Sequence, residues 1–276
     1  MDALTRRAGG GVGCPVAWSG RVRWLLERYG NRIAWVLLTL YVVYASSTLG
    51  FTPARFFAGL GHGKVFVLRL FPPDFTSQWA DIQHDMLESL EIAVLASVFG
   101  IAASLPLGLL AARNLMPAWV TWPTRLLISL SRSFHPVIVG ILFVKAIVFG
   151  PLAGVMTLAV ASVGFIGKLF TEAIEEISLR QVEAVRATGA SFSNMLIFGV
   201  FPQVTPRFVG FSLYQLDSNL RNSTILGIVG AGGIGGTLLA AFQRFDYAIV
   251  CAIVLVMIAM IMVGEVVSEQ VRKLFQ

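Results

Sequence analysis

Residues 183–202 read Glu-Ala-Val-Arg-Ala-Thr-Gly-Ala-Ser-Phe-Ser-Asn-Met-Leu-Ile-Phe-Gly-Val-Phe-Pro, a polar stretch between long apolar runs. Gly189 is placed to end a short helix, because glycine readily adopts the left-handed conformation of a helix C-cap. Ser191 is placed to begin the next helix, since its hydroxyl can accept a hydrogen bond from a backbone N–H two or three residues later. Pro202 has no N–H and is expected to close that second helix. The stretch therefore predicts a bent pair of short helices, too polar to cross a bilayer and suited to docking on a partner.

The composition excludes an ordinary soluble domain. The chain has 276 residues, of which 56% are hydrophobic and 13% charged, whereas about a quarter of the residues of a soluble domain are charged. The net charge of +6 does not indicate nucleic-acid binding, because the basic residues lie mainly between apolar runs and form no basic face with aromatic partners. The two cysteines and three isolated histidines predict neither a disulfide framework nor a metal site. We therefore expect an integral membrane protein.

Six apolar runs have about the length needed to cross the hydrocarbon core of a bilayer, which takes about 20 residues. They are residues 33–49, 90–112, 126–148, 152–170, 209–229 and 247–267. An even number of spans places both termini on one side. Most lysines and arginines outside the spans lie on that side, so both termini and residues 183–202 are predicted to be cytoplasmic. Residues 1–32 are then a cytoplasmic N-terminal tail, and residues 33–276 form the transmembrane domain.

Two connecting segments have a composition that predicts their environment. Residues 172–182 are expected to form a solvated amphipathic helix in which Glu176 and Arg180, four residues apart, pair across one turn. Residues 51–88 contain three prolines and six phenylalanines, a composition typical of a broken loop that lies along the outer membrane interface.

Two predicted spans carry polar side chains well inside their ends. They are Arg132, Ser133 and His135 in the third span, and Asp217, Arg221, Asn222 and Ser223 in the fifth. A charge in mid-bilayer costs at least about 2.5 kcal/mol on insertion scales, so it normally faces a partner or a water-filled path. Asp217 and Arg221 are four residues apart and can neutralise each other, either as a structural ion pair or as part of a path. If they do so, Arg132 remains as a net positive charge, and the path would favour anions.

The glycines at 230, 232, 233 and 235 match the letters of a dinucleotide-binding motif but not its context. Such a site needs a preceding strand and an acidic residue about 20 residues further on, where this chain has Leu255 within an apolar run. Gly230, Gly232, Gly233 and Gly235 are instead expected to form an external turn that allows two copies of the chain to approach closely.

The positions of Glu183, Ala184, Gly189 and Pro202 resemble the coupling-helix motif of permease subunits of ABC importers. That motif has Glu-Ala-Ala, a glycine six residues after the glutamate and a proline nineteen after it; here Val185 replaces the second alanine of the motif. Residues 72–75, Pro-Pro-Asp-Phe, and residues 90–93, Leu-Glu-Ile-Ala, also look like the phosphonate-type branch of these permeases. The glycine run is similar to one that precedes the last span in phosphonate and methionine permeases.

The resemblance implies an all-α integral membrane protein of about six transmembrane helices with a methionine-importer-like ABC permease fold and coupling helices at about residues 172–202. It implies a homodimer in the bacterial inner membrane, cytoplasmic ATP-binding subunits docked on the coupling positions, and an external solute-binding protein. The cargo would be phosphonate, phosphite or a related oxyanion. The chain itself is expected to hold no cofactor, metal or catalytic site, with ATP and Mg in the partner ATPase.

Three alternatives remain open from the sequence. The permease could carry methionine or another small solute. A secondary transporter or channel would use the intramembrane charges to relay ions, but such proteins are built from inverted repeats, and the sequence has no evident repeat. A membrane-embedded enzyme would need a metal-spaced cluster or a nucleophile beside a base, and the sequence predicts neither.

Overall fold

The computed structural model describes residues 20–50 and 52–275, and within these ranges every regular element is helical. The predicted all-α class is confirmed. The helices are, in chain order, α1 Gly20–Thr48, α2 Pro53–Leu70, α3 Trp79–Ala111, α4 Ala118–Ser133, α5 Pro136–Ala146, α6 Pro151–Glu175, α7 Leu179–Ala187, α8 Phe192–Met195, α9 Phe201–Ile228, α10 Ile234–Gln243 and α11 Tyr247–Phe275. A π-helical segment, Leu196–Val200, joins α8 to α9. The first part of the predicted tail, residues 1–19, lies outside the described residues, and from Gly20 the chain is helical.

The chain divides into two compact units, Met1–Phe66 and Val67–Gln276. In the first unit, Ala34–Thr48 is an apolar helical stretch whose large side chains, such as Trp35, Leu40 and Tyr44, are exposed. A helix that is apolar on all sides is typical of a lipid environment. The described stretch is shorter than a full span needs, so a span at residues 33–49 stays a prediction.

In the second unit, four helical stretches of the described chain are long and apolar enough to cross a membrane. They are Trp79–Ala111, Pro151–Glu175, Phe192–Ile228 and Tyr247–Lys273. A fifth span exists only if α4 and α5 are counted together, and these two helices meet at an angle of 93°. The described residues therefore contain four or five such spans, against the six predicted.

The third predicted span, residues 126–148, is wrong as a single helix. The chain breaks after Ser133, and Phe134 and His135 are extended. Pro136 explains the break, because proline lacks an N–H and disfavours a helical conformation in the residue before it. The His135 ring nitrogen Nδ1 then accepts a hydrogen bond from the backbone N–H of Val137 (3.3 Å) and caps α5.

Helices α3, α6 and α9 pack together at the centre of the second unit, with small residues at their closest approaches. A Cβ atom at Gly100 of α3 would lie 2.4 Å from the Cβ of Ser162 on α6, and one at Gly108 would lie 2.5 Å from the Phe170 ring. Small residues permit such contacts between the backbones of membrane helices. The close packing explains why these glycines lie inside a predicted span.

A buried polar network joins the same three helices. The Asn219 side-chain amide of α9 donates to Ser97 Oγ of α3 (2.9 Å) and to Ser162 Oγ of α6 (2.9 Å). Gln215, one turn earlier, donates to Asn219 Oδ1 (3.0 Å) and to Ser162 Oγ (2.9 Å). All four side chains are buried. Because no water is present in a bilayer core to satisfy such groups, the network fixes the relative register of α3, α6 and α9.

The predicted broken loop at residues 51–88 is wrong over most of its length, since it contains α2 and the first turns of α3. Between these helices, the Asp74 carboxylate accepts hydrogen bonds from the backbone N–H of Thr76 (2.8 Å) and of Ser77 (3.1 Å), and from both their hydroxyls. These bonds favour the ionised carboxylate and hold the pKa of Asp74 far below its ordinary value. The backbone N–H of Asp74 also donates to the carbonyl of Ala248 (3.1 Å), which ties this loop to the start of α11.

Candidate functional site

The polar stretch at residues 183–202 forms a helical corner between α6 and α9. Gly189 has a φ of 78° and follows the end of α7, and the Ser191 hydroxyl accepts a hydrogen bond from the N–H of Asn194 (3.5 Å) at the start of α8. Both local predictions are confirmed. The prediction that Pro202 closes a helix is wrong: Pro202 lies in the first turn of α9, where a missing N–H is tolerated. The chain is therefore helical from Phe192 to Ile228.

The inner side of this corner is packed against the membrane helices. Val182 of α7 is buried against Gly199 of the π-helical segment, where a Cβ atom would lie 3.4 Å from the Val182 Cα. Val182 belongs to a buried apolar cluster with Ile174 and Phe170 of α6 and Val204 of α9. Helix α7 is thus packed, through Val182, into a cluster that includes the end of α6 and the start of α9.

The outer side of the corner is exposed and polar. Glu183 and Ala184 on α7, Gly189 at the turn and Pro202 at the start of α9 are all exposed. These are the four positions that the sequence predicts for coupling, and none of them is buried by the rest of the chain.

Two polar contacts hold the entry to α7. The backbone N–H of Ser178 donates to Gln203 Oε1 (3.0 Å), and Arg207 pairs with Glu176 (2.5 Å). The predicted pair of Glu176 with Arg180 is wrong. Helix α6 ends at Glu175 and α7 begins at Leu179, so Glu176 and Arg180 do not lie one turn apart on a single helix.

A clasp of polar groups joins the C-terminal ends of α3 and α6 to the middle of α4 near the corner. The Glu175 carboxylate accepts from Arg125 of α4 (2.5 Å) and from the backbone N–H of Arg113 (2.9 Å). Arg125 also donates through Nε to the carbonyl of Ala111 (2.9 Å). This clasp was not predicted from the sequence, although a glutamate at the end of one apolar run and an arginine at the start of another were available as a signal.

The structure places the predicted pair in the fifth span as the sequence indicates. The Arg221 guanidinium donates to the Asp217 carboxylate across one turn of α9, with Asp217 buried and the Arg221 side chain 48% exposed. The other Asp217 oxygen, Oδ1, is buried and has no hydrogen-bond partner. Asn222 is half-buried and lies 3.4 Å from the Ser218 hydroxyl. Ser223 is buried and donates to the carbonyl of Leu220 (2.9 Å), so it is satisfied within its own helix.

Arg132, Ser133 and His135 lie together at the break between α4 and α5, and all three are exposed. The Arg132 side chain crosses Gly164 of α6, where a Cβ atom would lie 2.8 Å from the Arg132 Cγ. Within residues 32–273, no hydrogen bond or ion pair connects these three residues to Asp217 or Arg221. The structure therefore groups the candidate path residues in two sets, one at the α4–α5 break and one on α9.

The glycine run forms a tight turn between α9 and α10. Gly230, Gly232 and Gly233 have φ values of 88°, 82° and 82°, a region that residues with a Cβ rarely adopt. A Cβ at Gly233 would lie 2.3 Å from the Ser89 hydroxyl of α3, and one at Gly235 would lie 1.9 Å from the carbonyl oxygen of Thr224. The close approaches that require these glycines are thus made to helices of the same chain. Helix α10, which follows the turn, was not predicted.

One group of side chains in the described part of the chain has the spacing of a metal site, at the start of α3. Ligand atoms of His84, Asp85 and Glu88 lie within 4.8 Å of one another. Asp85 accepts a hydrogen bond from the Thr237 hydroxyl of α10, and Glu88 lies against Gly232. Asp85 therefore already serves to hold α10 against α3, and Glu88 lies beside the glycine turn.

Comparisons with known proteins agree with this geometry. The chain is 40% identical over 205 residues to the phosphate-import permease protein PhnE of Mycolicibacterium smegmatis, with 74% of this chain and 38% of that protein covered. It is 39% identical over 206 residues to the phosphite transport system permease protein PtxC of Stutzerimonas stutzeri, with 74% of each chain covered. The chain thus spans well under half the length of the first of these relatives and about three quarters of the second.

Among solved structures, an inward-facing MetNI methionine ABC transporter matches with a TM-score of 0.63 and 21% sequence identity, covering 73% of this chain and 99% of that chain. The predicted methionine-importer-like permease fold is confirmed, and the chain is a multi-pass protein of the inner membrane. The family described as binding-protein-dependent transport system inner membrane component matches residues 104–276, a range that contains the corner, the clasp and both sets of polar residues. Proteins of this family are transport components rather than enzymes. This chain belongs to the family of binding-protein-dependent transport system inner membrane components.

Proposed function

We propose that the chain forms half of the translocation path of an ATP-driven importer for a phosphorus oxyanion, such as a phosphonate, phosphite or phosphate. The observation that carries this proposal is the 39% identity with a phosphite permease over the same share of both chains. The methionine transporter shares the fold at only 21% identity, which gives no support for methionine as the cargo.

The charges of the candidate path residues support an anionic cargo. Asp217 and Arg221 neutralise each other on α9, whereas Arg132 has no acidic partner within the described ranges. A path lined by Arg132, Ser133 and His135 on one side, and by Arg221 and Asn222 on the other, therefore carries net positive charge, and a low-dielectric cleft focuses the field of such a charge on an entering anion. Ser223, which is buried in its own chain, contributes to the packing of α9.

The corner between α6 and α9 is the proposed docking site of a cytoplasmic ATP-binding subunit. Glu183, Ala184, Gly189 and Pro202 present an exposed surface, while Val182 behind them is packed on the membrane helices. When ATP closes the paired ATPase subunits, α7 would move and carry the ends of α6 and α9 with it, switching the bundle between two packings. ATP and Mg belong to the ATPase, and an external solute-binding protein delivers the anion.

Two permease halves are needed to enclose a path, and a second copy of this chain is the proposed partner. A related permease subunit is the alternative, and the two arrangements differ in a simple measurement. If a mixture of two differently tagged copies of the chain is expressed with the ATPase, a homodimer retains both tags after purification through one.

In the proposed topology, the corner and both termini face the cytoplasm.

Uptake in proteoliposomes tests the proposed cargo. The chain is reconstituted with its ATPase and solute-binding subunits, and ATP-dependent accumulation of a phosphonate, phosphite, phosphate and methionine is compared. We expect accumulation of at least one phosphorus oxyanion and none of methionine. Accumulation of methionine alone would overturn the cargo, and uptake driven by a proton gradient without ATP would overturn the mechanism.

A further inference from the structure

A groove of about 540 Å³ runs between α6, α9 and the end of α11, away from both sets of path residues. We call it the basic groove. Its walls combine aromatic, small and cationic side chains: Phe165, Leu169, Arg207, Gly210, Tyr214 and Arg272. Arg207 pairs with Glu176 near the corner, and these residues otherwise have no part in the proposed coupling or transport.

The floor of the basic groove is apolar and open. Phe165 stacks on Tyr214 with ring centroids 5.6 Å apart and an interplanar angle of 28°, and Leu169 extends the same wall. A Cβ atom placed on Gly210 would meet nothing within 4 Å. The empty space beside Gly210 is therefore available to a hydrocarbon chain.

At the rim of the basic groove, one arginine N–H has no hydrogen-bond acceptor among the described residues. Arg207 is paired with Glu176 (2.5 Å), but the Nε of Arg272 is buried and has no hydrogen-bond acceptor. The nearest candidate on the same helix, Glu269, is engaged by Lys273 (2.7 Å). Arg272 lines the groove and none of its nitrogens is in an ion pair with Glu269, which is engaged by Lys273, so an anionic group in the groove would be attracted by the Arg272 charge.

The basic groove lies at one end of the membrane-spanning bundle. Arg207 precedes Arg221 by 14 residues on α9, which places it about 21 Å away along the helix axis, and Arg272 is in the last turn of α11. In the topology proposed above this is the cytoplasmic end, where basic pockets between membrane helices meet the anionic headgroups of the inner leaflet.

We propose that the basic groove binds an anionic phospholipid, with the headgroup phosphate on Arg272 and one acyl chain along Phe165, Leu169 and Gly210. The phosphate places a negative charge beside the Arg272 guanidinium, and the acyl chain matches the apolar floor. A free phosphorus oxyanion fits less well, because it would lose its water against an apolar wall with a single unpaired arginine to replace it. The proposal rests on the cytoplasmic orientation proposed above but not on the identity of the cargo.

Lipid retention by the purified chain tests this proposal. The wild-type chain, Arg272→Gln and Gly210→Leu are purified in detergent supplemented with equal amounts of phosphatidylglycerol and phosphatidylcholine, and the bound lipids are counted by native mass spectrometry. Arg272→Gln removes the cation, and Gly210→Leu adds an apolar side chain at a position where a Cβ atom meets nothing within 4 Å. Arg113→Gln is the control, since Arg113 is an exposed arginine at the end of α3 and outside the groove.

We expect the wild-type chain and Arg113→Gln to retain phosphatidylglycerol in preference to phosphatidylcholine. We expect Arg272→Gln and Gly210→Leu to lose that preference by about fivefold, with unchanged elution in size-exclusion chromatography. Equal preference in all four proteins would overturn the proposal. Displacement of the lipid by inorganic phosphate would also overturn it, in favour of a free-anion site. The assay uses neither uptake nor ATP, so its failure is distinguishable from a failure of the transport proposal.

Discussion

The backbone of Val182 on α7 lies directly on Gly199, so that a single added carbon at Gly199 would reach ordinary contact distance, 3.4 Å, from the Val182 Cα. Val182 is buried at this contact, while Glu183 and Ala184, the next two residues, are exposed. The contact therefore separates the packed side of the corner from the side proposed to meet the ATPase. It also makes the fit between α7 and the membrane helices sensitive to the size of one residue.

Substitutions at Gly199 should change how α7 packs on the membrane helices without changing the surface proposed to dock the ATPase subunit. Gly199→Ala adds a carbon that the contact distance accommodates, and we expect near-normal transport. Gly199→Leu must push α7 away from α9, because the Val182 backbone cannot move independently of its helix. We expect Gly199→Leu to hydrolyse ATP in the assembled transporter while substrate uptake falls by about tenfold or more. Parallel measurement of ATP hydrolysis and uptake checks this, and equal uptake by the two variants would contradict a lever role for α7.

The interaction between Arg125 and Glu175 in the clasp should contribute to the free energy of unfolding. Each is about a quarter exposed, so the pair is less screened than a surface ion pair. A double-mutant cycle with Arg125→Gln and Glu175→Gln should give a coupling energy of about 1–3 kcal/mol. The measurement is thermal or denaturant unfolding in detergent. Additive effects of the two substitutions would show that the interaction between the two side chains does not contribute to the free energy of unfolding.

The buried network should make Asn219 more important to stability than its neighbour Asn222. Asn219→Ala removes bonds to Ser97 and Ser162 and leaves Gln215 with a lost acceptor, so a loss of about 1–2 kcal/mol is expected. Asn222→Ala is the matched control, because Asn222 makes only a long contact with Ser218 (3.4 Å), and we expect a change within about 0.5 kcal/mol. Unfolding in detergent compares the two variants. Equal losses of stability would contradict a special contribution of the buried network.

The sequence predicted the helical class, the membrane environment and the corner because these depend on composition and on local backbone rules. Gly189 and Ser191 act within a few residues of themselves, so their roles can be predicted without knowing the fold. Asp217 and Arg221 are likewise one turn apart on one helix. The local rule failed at Pro202, because the same missing N–H suits both the end of one helix and the first turn of another.

Contacts between distant parts of the chain could not be predicted in the same way. Glu176 has Arg180 four residues away in sequence, yet it pairs with Arg207, because the helix ends before the nearer arginine is reached. The clasp between Arg125 and Glu175, and the bonds from Asn219 to Ser97 and Ser162, depend on which helices are neighbours. A serine in an apolar run indicates a polar contact but does not identify the partner.

The loop before α3 should make stability depend on acid through Asp74. The pKa of its carboxyl is lowered in the folded chain by hydrogen bonds from Ser77 and Thr76. A lowered pKa stabilises the fold fully above the ordinary value of about 3.9 and loses that contribution as the pH falls toward the folded pKa, because only the unfolded chain then takes up a proton. Asp74→Asn lacks the contribution at every pH.

As the pH falls below about 5, the unfolding temperature of the wild-type chain should therefore fall more steeply than that of Asp74→Asn, and the difference between the two curves should narrow steadily down to the most acidic pH measured. Other carboxyl groups titrate in both proteins, so the difference between the curves isolates Asp74. Parallel curves over the whole range would show that the hydrogen bonds seen in the loop do not favour the ionised form.

Substitutions of Asp217 and Arg221 can separate a structural ion pair from a path-lining one. Asp217 is buried and one of its oxygens has no hydrogen-bond partner, so Arg221→Gln leaves a buried carboxylate without its counter-ion. A structural pair predicts that either single substitution lowers the yield of folded chain, and that Asp217→Asn combined with Arg221→Gln restores both yield and uptake. Replacement of both members of a buried pair is often tolerated, whereas removal of one is not.

A path-lining role predicts a different outcome for the same three variants, and it is the one that we expect. Arg221 is 48% exposed on a face of α9 that its own chain does not cover, so its charge remains available to a passing anion. We expect the double variant to fold normally but to take up the oxyanion about tenfold more slowly. Arg132→Gln, which removes the unpaired cation without breaking an ion pair, should slow uptake at unchanged stability. Normal uptake by both Arg132→Gln and the double variant would place the anion's path elsewhere.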